Sequence, residues 1–386
     1  MTARQGFVPP PYPHDRLADL KARAEQADGG LVDASVGTPV DPLPEVVAVA
    51  MAESTPEARG YPPTIGTPSL RDAAATWIVR RFGVSVRPEA VMACIGTKEM
   101  VASLPRFLSL REPGRDTVLY PAVSYPTYAM GAQLAGLRAV PVPLDDEWHL
   151  DLGAVADADA ERALLLWVNE PGNPTGSTAS PPHLAAVAAW ARAHGVVVAS
   201  DECYVEFTFD AAGGPVPPAT ILDAGPHGVL AVHSLSKRSN MAGLRAGFIA
   251  GDTELVQYLG ECRKHAGLMM PGPVQAAAAA ALGDDLHVDT QRTRYAERRR
   301  AALPVFASRG LDHAGGPSTF YLWLRRADGP SDGWDIAAEL AETGLLVAPG
   351  DFYGPDAAEY ARVALTVTDA RLAVALARLG EVAVRS

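Results

Sequence analysis

A lysine set among small hydroxyl residues, Ser234-Leu235-Ser236-Lys237-Arg238, follows the apolar run 228–233, and Arg245 stands eight positions further on. A lysine amine attacks a carbonyl only when it is deprotonated, and burial or neighbouring positive charge lowers its pKa toward neutrality. Hydroxyls and an arginine beside that lysine can hold a phosphate. The segment can therefore grip an aldehyde and a phosphate together, which is what pyridoxal phosphate requires. Taken alone, Ser-x-x-Lys also describes a solvated lysine at the end of a strand, so the other motifs decide.

Asn173-Pro174-Thr175-Gly176 follows the apolar run 163–168, and Asp201-Glu202-Cys203-Tyr204 follows 196–199. Both fall where parallel strands are expected to end, and open α/β sheets bind ligands at those carboxyl ends. An aspartate there can pair with a protonated pyridine nitrogen, while an asparagine amide and a tyrosine hydroxyl can hydrogen-bond the ring oxygen. Each motif has a plainer reading, a turn for Asn-Pro-Thr-Gly and a helix cap for Asp201. The ordered set Asn173, Asp201, Ser234, Lys237, Arg245 requires all the plainer readings to hold at once. Gly96-Thr97-Lys98 precedes apolar residues at Met100, Val101, Leu104, Phe107 and Leu108, a helical spacing. The free N–H groups at such a helix start suit a dianion.

On these residues the chain resembles the fold type I pyridoxal phosphate enzymes, and within them the class I/II aminotransferases, from about residue 32 to residue 377. The resemblance implies that Lys237 is the Schiff-base lysine, with Asp201 on the pyridine nitrogen and Asn173 and Tyr204 on the ring oxygen. It implies that Ser234, Arg245 and the backbone of Gly96, Thr97 and Lys98 hold the phosphate, and that Tyr125 stacks on the ring. Arg362, in the run 360–366, matches the arginine that grips the substrate carboxylate, a task suited to a planar guanidinium with two parallel donors. Its plainer reading is a solvated strand charge. Tyr61, in Gly60-Tyr61-Pro62-Pro63, matches a tyrosine that reaches the phosphate of a neighbouring subunit, which implies a homodimer with shared active sites; the competing reading is packing over a proline-rich loop.

Within that family the runs 33–41, which contains Gly37 as a substrate contact, 236–245 and 264–271 are similar to the actinobacterial type of N-succinyldiaminopimelate aminotransferase. That similarity implies glutamate as donor and N-succinyl-2-amino-6-oxopimelate as acceptor, in lysine and diaminopimelate biosynthesis. An aminotransferase for aspartate, alanine or aromatic amino acids keeps every cofactor residue and remains the alternative. Lys264 is either a distal-carboxylate contact or a surface lysine at a helix end.

Bulk properties constrain the rest. At 386 residues, 48% hydrophobic and 20% charged, the chain is globular and long enough for two cores. A net charge of −12 argues against nucleic acid as a partner, for which a basic face is expected. Cys94, Cys203 and Cys262 are widely spaced and odd in number, as in a reducing, cytoplasmic setting. No metal-ligand spacing occurs, no signal-peptide core is present, and no apolar run is long enough to span a membrane.

Strand-like runs at 116–120, 139–142, 163–168, 196–200, 229–234 and 247–250 alternate with helical patterns such as 181–194. That alternation predicts a mostly parallel central sheet covered by helices, an α/β architecture. After Gly283 a charged segment, 287–300, leads to strands near 319–324 and 362–367 and a closing helix at 369–382. The expected division is a large domain at 41–283 and a smaller αβ domain formed by 284–386 with the amino-terminal segment 1–40, the cleft lying between them.

Overall fold

Strands β1 (Val32–Asp33), β2 (Val91–Cys94), β3 (Thr117–Pro121), β4 (Arg138–Val142), β5 (Ala163–Asn169), β6 (Val197–Asp201), β7 (Val229–Ser234) and β8 (Gly247–Gly251) are followed by β9 (Leu311–His313), β10 (Tyr321–Arg326), β11 (Leu345–Leu346), β12 (Ala348–Pro349) and β13 (Ala361–Ala364). The computed structural model describes residues 6–54 and 59–385. Seven strands form one sheet in the order β2-β8-β7-β6-β5-β3-β4. Within it β8 runs antiparallel to both neighbours, and the pairs from β7 through β4 are parallel.

The reason is written in the strands. Every residue of β5, Ala-Leu-Leu-Leu-Trp-Val-Asn, is buried, the unbroken apolar run of a strand covered on both faces. Alternate residues feed separate cores: Val91 and Ala93 pack on one face with Trp77 and Val187, Met92 and Cys94 on the other with Leu104 and Leu259. A third core belongs to the antiparallel sheet β12-β13-β10-β9 and the helices around it. Parallel pairing of β1 with β11 fastens residues 32–33 to this second body.

Most expected elements are present within a residue or two. The helix Pro181–His194 is capped by the Ser180 side chain and ends at Gly195 in the left-handed region. Two boundaries differ. The strand expected from residue 319 starts at Tyr321, because Thr319 has a φ of 65° and breaks the extended backbone. The strand expected over 362–367 is shorter, ending at Ala364. Strand β2 was not anticipated, since Val-Met-Ala-Cys has a single β-branched residue and no alternation.

Candidate active site

The parallel strands deliver the site at their carboxyl ends. Strand β5 leads to Asn173, β6 ends at Asp201 just before Tyr204, and β7 ends at Ser234, which opens the short helical turn Leu235–Arg238 carrying Lys237. Together with Gly37, Thr97, Lys98, Tyr125, Arg245 and Arg362, these residues line one cavity of about 500 Å³. Lys237 donates through Nζ to the carbonyl of Gly37. Burial pulls its pKa from 10.5 down to about 8, and the positive charges of Arg362 and Arg245 act in the same direction. A cavity lysine of this kind is a neutral nucleophile in mildly alkaline solution.

One end of the cavity gathers donors that suit an anion. The helix Thr97–Arg111 starts after Gly96 with no side-chain cap, which leaves first-turn N–H groups pointing outward. Gly96 has a φ of 70°, and a Cβ there would sit 2.3 Å from Arg245 Nη2, so only glycine lets the guanidinium lie against the helix start. Arg245 is itself in the left-handed region, with a φ of 59°, and donates through Nη1 to the Ala242 carbonyl at 2.8 Å. Ser234 accepts from the Ser236 N–H at 3.1 Å and thereby caps the Lys237 turn.

Across the cavity lies a second cation. Arg362, on β13, is 4% exposed, contrary to the reading of a solvated strand charge. Its Nη1 donates to Asn173 Oδ1 at 2.9 Å and its Nη2 to the Ser35 carbonyl at 2.7 Å. The guanidinium carbon stands 4.1 Å from the Tyr321 ring centre and 4.9 Å from that of Tyr353. Its buried Nε has no partner. Both recorded acceptors are neutral oxygens, so the positive charge of this cavity-lining guanidinium is available to an anion.

A family model for aminotransferase class I and II matches residues 30–379. The chain belongs to that family. It is 47% identical over 371 residues to a probable aminotransferase of Mycobacterium tuberculosis, covering 96% of this chain and 85% of that one. It is 46% identical over 375 residues to the 4-dedimethylamino-4-oxo-anhydrotetracycline transaminase OxyQ of Streptomyces rimosus, covering 96% and 99%. Among solved structures, a probable N-succinyldiaminopimelate aminotransferase of Thermus thermophilus superposes with a TM-score of 0.84 at 30% identity, covering 95% of this chain and 98% of that one. The fold is that of the fold type I enzymes, and class I/II aminotransferases depend on pyridoxal phosphate.

The residues present fit that cofactor. Asp201 accepts from Tyr128 OH at 2.9 Å and from the Cys203 N–H at 3.3 Å, while burial pushes its carboxyl pKa up. A buried carboxylate in that position is completed by a cationic N–H partner, which a protonated pyridine supplies. Tyr204 OH lies 3.1 Å from Tyr321 OH, and the amide of Asn173 accepts through Oδ1, leaving Nδ2 as its donor end. Tyr125 stands on the same wall, edge-on to Tyr128 with ring centres 6.0 Å apart.

Gly37 leaves no room for a side chain. A Cβ there would lie 1.9 Å from Tyr321 OH. Tyr61 is 94% exposed and does not line the cavity, so it does not pack over its proline-rich loop within this chain. Lys264 is exposed and pairs with Glu261 at 3.8 Å.

Several cavity residues carried no readable signal. Tyr12 and His14 come from an amino-terminal turn, Phe352 and Tyr353 from the segment before β13, and Tyr321 from β10. Tyr321 fell inside the strand expected near 319–324 without being singled out, and the bond of Tyr128 to Asp201 depends on the helix Thr127–Leu134 packing against β3 and β4. Among the described residues no group of three or more His, Cys, Asp or Glu could hold a metal ion, and no helix is long and apolar enough to cross a membrane.

Proposed function

We propose that this aminotransferase moves an amino group from glutamate to N-succinyl-2-amino-6-oxopimelate, with Lys237 as the residue that holds the cofactor and moves the proton. The observation that carries the reading is Arg362, a buried cation on the wall of the cavity that holds Lys237, bonded there to neutral oxygens of Asn173 and Ser35. Phosphate would be held by Arg245, Ser234 and the first N–H groups after Gly96, and the ring by Asp201, Asn173, Tyr204 and Tyr125. Bound there, pyridoxal phosphate supplies an aldehyde for the amino group and a conjugated ring that delocalises the electron pair left at the substrate α-carbon.

The chain's own residues do the rest. Arg362 clamps the α-carboxylate in two parallel hydrogen bonds, and this fixes which α-carbon bond faces the ring. Released from its bond to Gly37, the Lys237 amine takes the α-proton and holds it at Nζ. Its pKa of about 8 suits a group that must gain and lose a proton near neutrality. Aromatic walls from Tyr125, Tyr321 and Tyr353 keep water from the clamp.

The Thermus neighbour supports the succinylated acceptor. A second reading is supported by OxyQ, similar over 99% of its length, and would have the amino group pass to a 4-dedimethylamino-4-oxo-anhydrotetracycline type of acceptor. Steady-state rates with glutamate and each acceptor, beside oxaloacetate, pyruvate and phenylpyruvate, test the choice. A kcat/KM for the succinylated keto acid at least about 10²-fold above the other acceptors is expected; preference for the polycyclic ketone or for a simple keto acid contradicts it.

We read the protein further as a homodimer with shared sites. Exposed Tyr61 supports this, as do the exposed apolar residues Leu43, Val49 and Leu286 along one groove. Three free cysteines support a reducing, cytoplasmic setting. We also read the chain as a domain at 41–283, which contains the whole seven-stranded sheet, and one formed by 1–40 with 284–386, which contains the sheet β12-β13-β10-β9.

A further inference from the structure

The turn that carries Lys237, Leu235–Arg238, is too short to hold its own shape, since an isolated helix needs roughly 12–15 residues. The residue next to the lysine supplies an anchor. Arg238 is 3% exposed and all three of its guanidinium nitrogens donate. Nε reaches Glu206 Oε1 at 3.2 Å, Nη1 reaches Ser239 Oγ at 3.1 Å and the Ala281 carbonyl at 2.7 Å, and Nη2 reaches the Asp284 carbonyl at 3.2 Å and Asp285 Oδ1 at 3.1 Å.

Its two acidic partners are fixed in turn. Glu206 accepts from Trp77 Nε1 at 2.9 Å and from Arg81 Nη2 at 2.6 Å. Asp285 accepts from Arg80 Nε at 2.7 Å and Nη2 at 3.0 Å. The cluster thereby ties the turn to the helix Pro68–Phe82, to the end of the helix Gly272–Gly283 and to the start of the helix Leu286–Ala307. Arg238, Glu206 and Asp285 do not line the site cavity, whereas Ser236 and Lys237 do.

Stability alone does not account for this arrangement. A buried ion pair often gives no more stability than apolar residues of the same volume, and its best-attested use is to fix one geometry among several. Here the geometry fixed is that of the residue beside it. We propose that Arg238 is a positioning residue for the known reaction, holding the Lys237 turn in register so that the amine meets the substrate α-carbon. The proposal rests on Lys237 being the residue that holds the cofactor.

The test uses holoenzyme of the parent and of Arg238→Met, Arg238→Lys and Asp285→Asn. Borohydride reduction and peptide mapping first establish where the cofactor sits in the parent; a cofactor elsewhere than Lys237 overturns the functional reading itself, before any variant is measured. For each holoenzyme, kcat and KM for glutamate are then determined, with the pH midpoint of the bound-cofactor absorbance. A misplacement of about 1 Å can cost on the order of 10²-fold in rate. Arg238→Met is expected to keep its cofactor on Lys237 and lose roughly 10- to 10²-fold in kcat, with KM changed by less than about twofold and the absorbance midpoint displaced. Arg238→Lys recovers part of the rate, and Asp285→Asn shifts the same quantities less. If Arg238→Met, or Asp285→Asn should the first not fold, keeps the parent kcat and midpoint and lowers only the melting temperature, Arg238 is merely structural and the proposal falls.

Discussion

The cavity has two positively charged walls built by different means. At one, Gly96 and the uncapped start of the helix Thr97–Arg111 present backbone N–H groups, and Arg245 leans on a position where no side chain fits. At the other, Arg362 is held by side chains and a carbonyl from distant parts of the chain: Asn173, Ser35 and the rings of Tyr321 and Tyr353. The first relies on backbone donors at a helix start. The second offers the charge of a guanidinium whose recorded acceptors are neutral oxygens. Under the proposed function the first wall takes the cofactor phosphate and the second the substrate carboxylate, with Lys237 serving both.

Removing the residue that serves both walls has the largest effect. Lys237→Ala should lose roughly 10²–10⁴-fold for the proton transfer alone, more as cofactor is lost, measured as single-turnover rate with glutamate. Next comes pH. Because the pKa of Lys237 is lowered to about 8, its neutral form gains as pH rises through that value. Capture of pyridoxal phosphate by the apoprotein should therefore slow about tenfold for each pH unit below it, as stopped-flow absorbance can follow. A rate that stays flat between pH 6 and 9 would break the link to burial.

The two walls should then separate. Arg362→Lys loses the two-pronged clamp and should lower kcat/KM for glutamate by about 10- to 10²-fold, with little change in cofactor retention on dialysis. Gly96→Ala should do the reverse. A β-carbon there would meet Arg245 Nη2 at 2.3 Å and push that guanidinium aside, which should cost about tenfold in cofactor affinity while KM for glutamate is preserved. The smallest change is expected from Tyr128→Phe, which removes one hydrogen bond to Asp201 and should cost less than about tenfold in kcat, measured at saturating cofactor.

The same contrast explains what could be read from the chain. Lys237, Asp201, Asn173 and Arg245 belong to short contiguous motifs near the ends of apolar strands, so their meeting in one cavity could be expected from residue type and spacing. The helices and strands of the parallel sheet were legible because each is an apolar run closed by punctuation such as Gly195. Tyr12, His14, Tyr321 and Phe352 were not legible, because nothing local distinguishes a cavity aromatic from a core one; tertiary packing alone brings them together. Arg238 was hidden for a related reason. Its neighbours Lys237 and Arg245 absorbed the meaning of the motif, and its partners Glu206, Ala281 and Asp285 lie far along the chain.

One measurement bears most directly on the account. Holoenzyme reduced with borohydride, digested and mapped by mass spectrometry should carry the pyridoxyl phosphate group on the peptide that contains Lys237 and on no other. An active, cofactor-saturated sample in which that peptide is unmodified would contradict the assignment on which the proton transfer, the clamp at Arg362 and the positioning by Arg238 all depend.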